Sequence, residues 1–140
     1  MKKILVFGTF DIFHEGHKSF LKQARTYGDY LIVVIARDKT VLSVKKNQPY
    51  NNENVRKRVI EKSGLANEVI LGKLRDKYKV VKDTEPDMIC LGYDQRFFVE
   101  QLEDKLKEFG LKTEIKVLKS YKPEFFKSSK LRKPLNKGEY

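Results

Sequence analysis

The stretch GTFDIFHEGH, residues 8 to 17, holds both histidines of a 140-residue chain. An imidazole can donate, accept or carry a proton near neutral pH, so a close pair of them is a candidate site for an anion or a metal ion. A spacing of three puts His14 and His17 on one side of a helical turn. Gly8 lets the backbone turn and approach a ligand closely, while Gly16 keeps the space beside the two rings free of a side chain. A helix starting at residues 15 to 18 would add its N–H groups and the positive end of its dipole. The pattern predicts a phosphate cradle, and the alternative of two plain surface or cap histidines leaves the glycines without a reason.

Asp11 could converge with His14 and His17 on a metal. Only two residues separate the histidines of HEGH, however, so the segment is not the HExxH of zinc proteases. No further histidine, and no cysteine besides Cys90, is present to complete a structural zinc site. No metal ligands are therefore assigned. The chain also has no GxxxxGK[ST] loop and no GxGxxG, so any nucleotide chemistry must run through the histidines.

The elements that would position these residues can be read in order. KILVF (3 to 7) is a continuous apolar run ending at Gly8, the pattern of a strand buried on both faces. Phe20, Leu21, Ala24 and Tyr27 mark one face of a helix stopped by Gly28. YLIVVIA (30 to 36), EVIL (68 to 71), MICL (88 to 91) and TEIKVL (113 to 118) read as further strands. Between them lie a helix capped by Asn51 or Asn52, with Val55, Val59 and Ile60 inward and Gly64 as its stop, a weaker helix over 75 to 82, and a long one over 95 to 109. Residues 38 to 50 read as a long polar loop, a common place for function. Alternating strands and helices predict an α/β fold, a three-layer α/β/α sandwich around a mostly parallel sheet. The strand-end turn at Gly8 then lies where open parallel sheets bind ligands.

Composition narrows the classes. With 40% hydrophobic residues the chain can build one core, and one domain over 1–133 with a basic tail at 134–140 is expected. Thirty Lys and Arg against 19 Asp and Glu give a net charge of +11, which favours phosphates, acidic metabolites, nucleic acid or a membrane surface without choosing among them. Cys90 is alone, so no intrachain disulfide can form; its place in DMICLG predicts burial in a strand. The apolar run 4 to 7 is too short for a secretory core and no run approaches membrane-spanning length, so a cytoplasmic protein is expected, with no membrane partner. Aromatics such as Phe97, Phe98, Phe125 and Phe126 beside lysines leave a nucleic-acid-binding module as a competing class; no RNA-binding motif supports it, and no nucleic-acid partner is expected.

GTFDIFHEGH resembles the signature of the HxGH nucleotidyltransferases, the cytidylyltransferase-like family, and the resemblance runs from Lys3 to about Lys130. It implies a Rossmann-like five-stranded sheet in the order 3-2-1-4-5 and transfer of a nucleotide monophosphate to a phosphorylated acceptor, with release of pyrophosphate and no covalent enzyme intermediate. His14 and His17 are then the catalytic pair on the nucleotide phosphates, with Thr9, Phe10, Glu15 and Gly16 around them. LGYDQ (91 to 95) is similar to the segment that holds the nucleotide base or ribose, which assigns Gly92 and Asp94; taken alone, Asp94 reads equally as an N-cap. YKPEFFKSSKLRK (121 to 133) resembles the closing turn of relatives and adds Tyr121, Ser128 and Ser129, although its spelling departs from theirs. Lys45, Lys46 and Arg56 fall where relatives bind the acceptor phosphate.

Within the family, VVIARDKTV and LGYDQ look most like archaeal FAD synthases, which implies ATP and FMN as substrates, magnesium as the divalent cofactor, and a homodimer by analogy. Glycerol-3-phosphate cytidylyltransferase is the competing subgroup. Its GDD-like segment and RTxGISTT stretch correspond here to GYD and YKPEFFKSS.

Overall fold

The computed structural model of the chain describes residues 1–119, including all of their side chains except those of 96–98. Five strands, β1 (Lys3–Gly8), β2 (Tyr30–Ile35), β3 (Glu68–Leu71), β4 (Met88–Leu91) and β5 (Glu114–Val117), form one sheet. Their order is β3-β2-β1-β4-β5 and every neighbouring pair is parallel. The expected strand order and the three-layer α/β/α sandwich are both present.

The layering follows from the alternation of side chains along each strand. Ile4 and Val6, Leu31, Val33 and Ile35, Met88 and Cys90 face one side, against Leu21 and Ala24 of α1 (Glu15–Arg25) and Ile60 of α3 (Glu53–Ser63). Leu5, Ile32 and Val34, Ile89 and Leu91 face the other, against Val80 and Val81 of α4 (Lys79–Thr84) and Leu102 and Leu106 of α5 (Val99–Phe109). Both faces are covered at the centre of the sheet, which is why β1, β2 and β4 read as unbroken apolar runs. Cys90 has no solvent exposure, and burial pushes its thiol up to about 12, the inert state expected of a structural cysteine.

Several local expectations are corrected. Residues 38 to 50 are not all loop: Asp38–Lys45 form α2, closed by Lys46 in a left-handed conformation (φ 65°). Only Val41 of this helix is buried, so it carries no apolar stripe; its first turn is instead held by Glu53, whose Oε1 accepts from the Asp38 amide at 2.8 Å. In α3, Asn52 is the N-cap as expected, accepting from the Val55 amide, but Val59 is 38% exposed and Arg56, at 1%, takes the buried position. The weak helix lies at 79–84 rather than 75–82, after a turn in which Asp76 accepts from the Tyr78 amide. The long helix is two pieces, a 3-10 helix at Tyr93–Phe98 and then α5. Asp94 lies inside the 3-10 helix and does not cap an α-helix starting at Gln95. Finally, α1 ends at Thr26, and Gly28 serves packing: a Cβ there would stand 2.7 Å from the Lys2 carbonyl oxygen.

Candidate active site

The carboxyl end of β1 runs into a turn with two residues in the left-handed region, Phe10 (φ 53°) and Ile12 (φ 52°). Each such residue costs about 1–2 kcal/mol when it carries a side chain, so the surroundings must hold it. They do so from three directions. The Phe10 ring is 2% exposed and folds back over Gly8, where a Cβ would meet Phe10 Cε2 at 2.6 Å. The Asp11 carboxylate is fully buried and accepts from the backbone N–H groups of Tyr50 (2.5 Å) and Asn51 (2.9 Å). Arg56 Nη1 donates to the Thr9 carbonyl at 2.9 Å.

This turn delivers the two histidines to the start of α1. His14 is the N-cap residue, and its Nδ1 accepts from the Gly16 amide at 3.0 Å. The His14 amide in turn donates to His17 Nδ1 at 3.4 Å. An imidazole whose Nδ1 accepts a hydrogen bond carries its proton on Nε2 when neutral; the network thus assigns an Nε2–H donor to each ring. The rings stack with centroids 3.8 Å apart at 21°, an arrangement that two imidazolium ions would resist. Burial lowers the His14 pKa from 6.5 to about 4, with Glu15 raising it slightly in return, so this ring is neutral at pH 7. His17 is 4% exposed, with Phe10 edge-on at 5.4 Å and Phe13 stacked at 5.8 Å. The pair is held in place by these contacts, with His14 neutral.

The second lip of the crevice follows β4. The Gly92 amide donates to Gln95 Oε1 at 2.9 Å, and Gln95 Nε2 donates to the Phe7 carbonyl at 3.0 Å. Buried Gln95 (2% exposed) thereby fastens the β4 turn to the end of β1. Gly92 sits in a tight place, since a Cβ would meet Asp94 Oδ1 at 3.0 Å.

The residues expected around the site separate into groups. Thr9, Phe10, His14, Glu15, Gly16 and His17 lie on the β1 turn and first turn of α1, and Gly92 and Asp94 on the neighbouring β4 turn. Thr9 is 1% exposed, and its Oγ1 is a buried hydroxyl with no hydrogen-bond partner among the described residues. Glu15 is exposed and pairs with Lys18 at 3.7 Å. The Gly16 amide, expected to be bare for a ligand, is engaged by His14. Lys45 ends α2 and Lys46 caps it, both on one helix end. Arg56, expected at the acceptor phosphate, is buried among its own bonds to Thr9, to Asn51 (2.9 Å) and to Asp38 (2.7 Å). Tyr121, Ser128 and Ser129, and the boundary between 133 and 134, lie outside the described residues.

Asp11, Glu53 and Gln95 were missed as parts of the site's frame. Asp11 did carry a signal: a carboxylate between Phe10 and Ile12 cannot be buried without donors. Its two bonds to Tyr50 and Asn51 also draw it into the frame of the turn, and among the described residues no three His, Cys, Asp or Glu side chains gather as a metal site.

A parallel 3-2-1-4-5 sheet with paired imidazoles at the mouth of its central strand defines a Rossmann-like nucleotidyltransferase. The sequence pattern of the cytidylyltransferase-like family matches residues 5–134, and the chain belongs to that family. Among its relatives, a protein of Aciduliprofundum boonei named FAD synthase is 41% identical over 121 residues, covering 86% of this chain and 80% of that one. A FAD synthase of Picrophilus torridus is 39% identical over 131 residues, covering 94% of each. Among solved structures, the lipopolysaccharide core biosynthesis protein of Thermoplasma volcanium superposes with a TM-score of 0.82 at 36% identity, over 86% of this chain and 98% of that one. Among the described residues no helix is long and apolar enough to cross a membrane.

Proposed function

We propose that this chain is an FMN adenylyltransferase, transferring AMP from ATP to FMN with release of pyrophosphate. The observation that carries the chemistry is the stacked His14–His17 pair at the end of β1. The substrates rest on the similarity to relatives named FAD synthase, since the fold alone is shared with a protein of another name and does not fix the acceptor.

In this reading a phosphate oxygen of FMN attacks the α-phosphorus of ATP, the bond from that phosphorus to the bridging oxygen of pyrophosphate breaks, and pyrophosphate leaves with the electron pair. The Nε2–H groups of His14 and His17 donate to the oxygens on which negative charge grows. Preformed donors of this kind contribute on the order of 10² to 10³ in rate each. Thr9 Oγ1, which has no hydrogen-bond partner among the described residues, donates to a phosphate oxygen, and Phe10 holds the His17 ring edge-on. Gly92 leaves space for the nucleoside, with Asp94 beside it, and Glu15 and Gly16 border the phosphates. Tyr121, Ser128 and Ser129 belong to the nucleotide-binding set by resemblance to relatives, within a catalytic unit of residues 1–133 ahead of the basic 134–140 tail. Lys45 and Lys46 serve the acceptor phosphate, whereas Arg56 acts as a positioning residue through the Thr9 carbonyl. Magnesium, bound with ATP, would neutralise charge on the triphosphate and orient the leaving pyrophosphate.

The test is pyrophosphate release in two mixtures with magnesium, one with FMN and ATP, the other with glycerol 3-phosphate and CTP. FAD in the first is expected, and product only in the second rejects the flavin assignment. His14→Ala and His17→Ala are expected to lower turnover far more than stability.

A further inference from the structure

We propose that Gln95 is a positioning residue for the transfer step: its side chain fixes the spacing between the turn that carries His14 and His17 and the turn that carries Gly92 and Asp94, so that its loss slows transfer without loosening ATP. This inference rests on the reading of the chain as an FMN adenylyltransferase and adds a residue to its machinery.

The strand ladder shows why the spacing needs a device of its own. On one side β1 stays paired with β2 through Gly8↔Ile35, and the Gly8 carbonyl accepts from the Ala36 amide at 3.0 Å. On the other side its register with β4 stops at Val6↔Cys90, two residues earlier. The chain leaving β1 enters α1, packed on one face of the sheet, and the chain leaving β4 leads to α5 on the other. The two strand ends therefore part where the histidine turn and the Gly92 turn begin, and a crevice opens between them.

Gln95 spans that parting. Its Oε1 accepts from the Gly92 amide at 2.9 Å while its Nε2 donates to the Phe7 carbonyl at 3.0 Å. A carboxamide offers an acceptor and donors on one planar group, as a peptide unit does, so it serves as a rung beyond the point where the register stops. The Gln95 amide also donates to the Gly92 carbonyl at 2.9 Å, which grips Gly92 at both of its backbone polar groups. At 2% exposure water does not replace these bonds, and losing them leaves buried groups unpaired.

The direction of approach makes Gln95 act through the backbone. It comes from the α4/α5 side, among Phe7, Leu91 and Leu102. Phe20 of α1 closes on Gly92 from the other side, 3.9 Å from where a Cβ would stand. In the proposed reaction the histidines hold the phosphates and the Gly92 turn holds the nucleoside, so the two ends of one ATP molecule rest on two diverging turns. A loosened link lets each turn keep its own contacts, and ATP still binds. What suffers is in-line placement at the α-phosphorus, where a misplacement of about 1 Å costs on the order of 10²-fold in rate. A loss felt only in the transition state lowers kcat and spares ground-state binding.

The test compares Gln95→Met, which keeps the length and loses both side-chain bonds, with Gln95→Asn, which keeps the carboxamide one methylene short of the span. Calorimetry gives the Kd for ATP with magnesium. FAD formation at saturating ATP, well below each variant's Tm and expressed per folded molecule, gives kcat and the KM for FMN. Both variants are expected to lower kcat about tenfold or more, while Kd for ATP and KM for FMN stay within about threefold. If Gln95→Met does not fold, Gln95→Asn carries the same measurement. A kcat within about twofold of wild type in the folded variants shows that Gln95 serves stability alone and overturns the proposal. A loss carried instead by Kd for ATP or by KM for FMN makes Gln95 a substrate contact and overturns it too. In both cases wild-type protein that makes FAD leaves the proposed function standing, whereas wild-type protein that makes none overturns that function and this role with it.

Discussion

Arg56→Met separates two roles for one buried cation. The substitution keeps an aliphatic stem and removes the guanidinium. That guanidinium is 1% exposed and donates to Asn51 O, Thr9 O and Asp38 Oδ1 at 2.9, 2.9 and 2.7 Å. Breaking a buried ion pair costs about 3–5 kcal/mol. Asp38 is 31% exposed on its side chain and regains water, whereas the Thr9 carbonyl stays buried without its donor. The expected loss is therefore near the low end, about 3 kcal/mol. At this chain length that corresponds to a Tm lower by roughly 10 °C. Urea unfolding measures it as a shifted midpoint at unchanged slope. Turnover falls as well, because the freed Thr9 carbonyl loosens the turn that carries His14 and His17. A group that instead served the acceptor phosphate would behave differently: stability within about 0.5 kcal/mol of wild type and a raised KM for the acceptor alone. That result refutes the positioning role.

Gly8→Ala places a Cβ 2.6 Å from Phe10 Cε2, so the ring must leave its edge-on contact with His17. A loss of about 1–3 kcal/mol is expected together with reduced turnover, and full activity with wild-type stability would show that the Phe10 contact does not matter. The His14 pKa of about 4 in the folded chain lies below its ordinary 6.5, so on acidification the unfolded chain takes up the proton first. The contribution of His14 to stability is complete above about pH 6.5 and declines as pH falls to about 4. Melting temperatures of wild type and His14→Gln across this window check it: the gap between them changes through the window if the shift is real and stays constant if it is not.

β1, β2 and β4 were legible because both faces of the central sheet are covered, which turns them into apolar runs that no surface element shares. The histidine turn was legible for another reason: its chemistry needs glycines and imidazoles at fixed spacing within ten consecutive residues. What was missed depends on partners far along the chain. Helix α2 buries only Val41, and its N-terminus is stabilised by Glu53, fifteen residues further on. Its acidic first residue and basic end agree with the helix dipole, a signal too weak to separate a helix from a charged loop. Arg56 next to polar neighbours looks like a surface cation, and only its bonds to the buried Thr9 carbonyl and to Asp38 show that α3 turns it inward in place of Val59. The apolar pocket lined by Phe7, Val34, Leu91 and Leu102 draws on β1, β2, β4, α2, the turn after β3, the segment before α4, the 3-10 helix and α5, so no local pattern could announce it.

The left-handed conformations of Phe10 and Ile12 show why so much framework surrounds two imidazoles. Together they cost about 2–4 kcal/mol, a strain that an isolated turn would release by moving the histidines. Asp11 prevents this by accepting from Tyr50 and Asn51, and Arg56 by donating to Thr9. Both clamps reach the same region, the α2–α3 connection and the start of α3, and Glu53 ties that region to α2 and to Arg37. The cations expected near the acceptor therefore rest on the same scaffold that strains the phosphate turn. Removing the Glu53 or Arg56 contacts therefore acts on the phosphate turn and on the end of α2 at once.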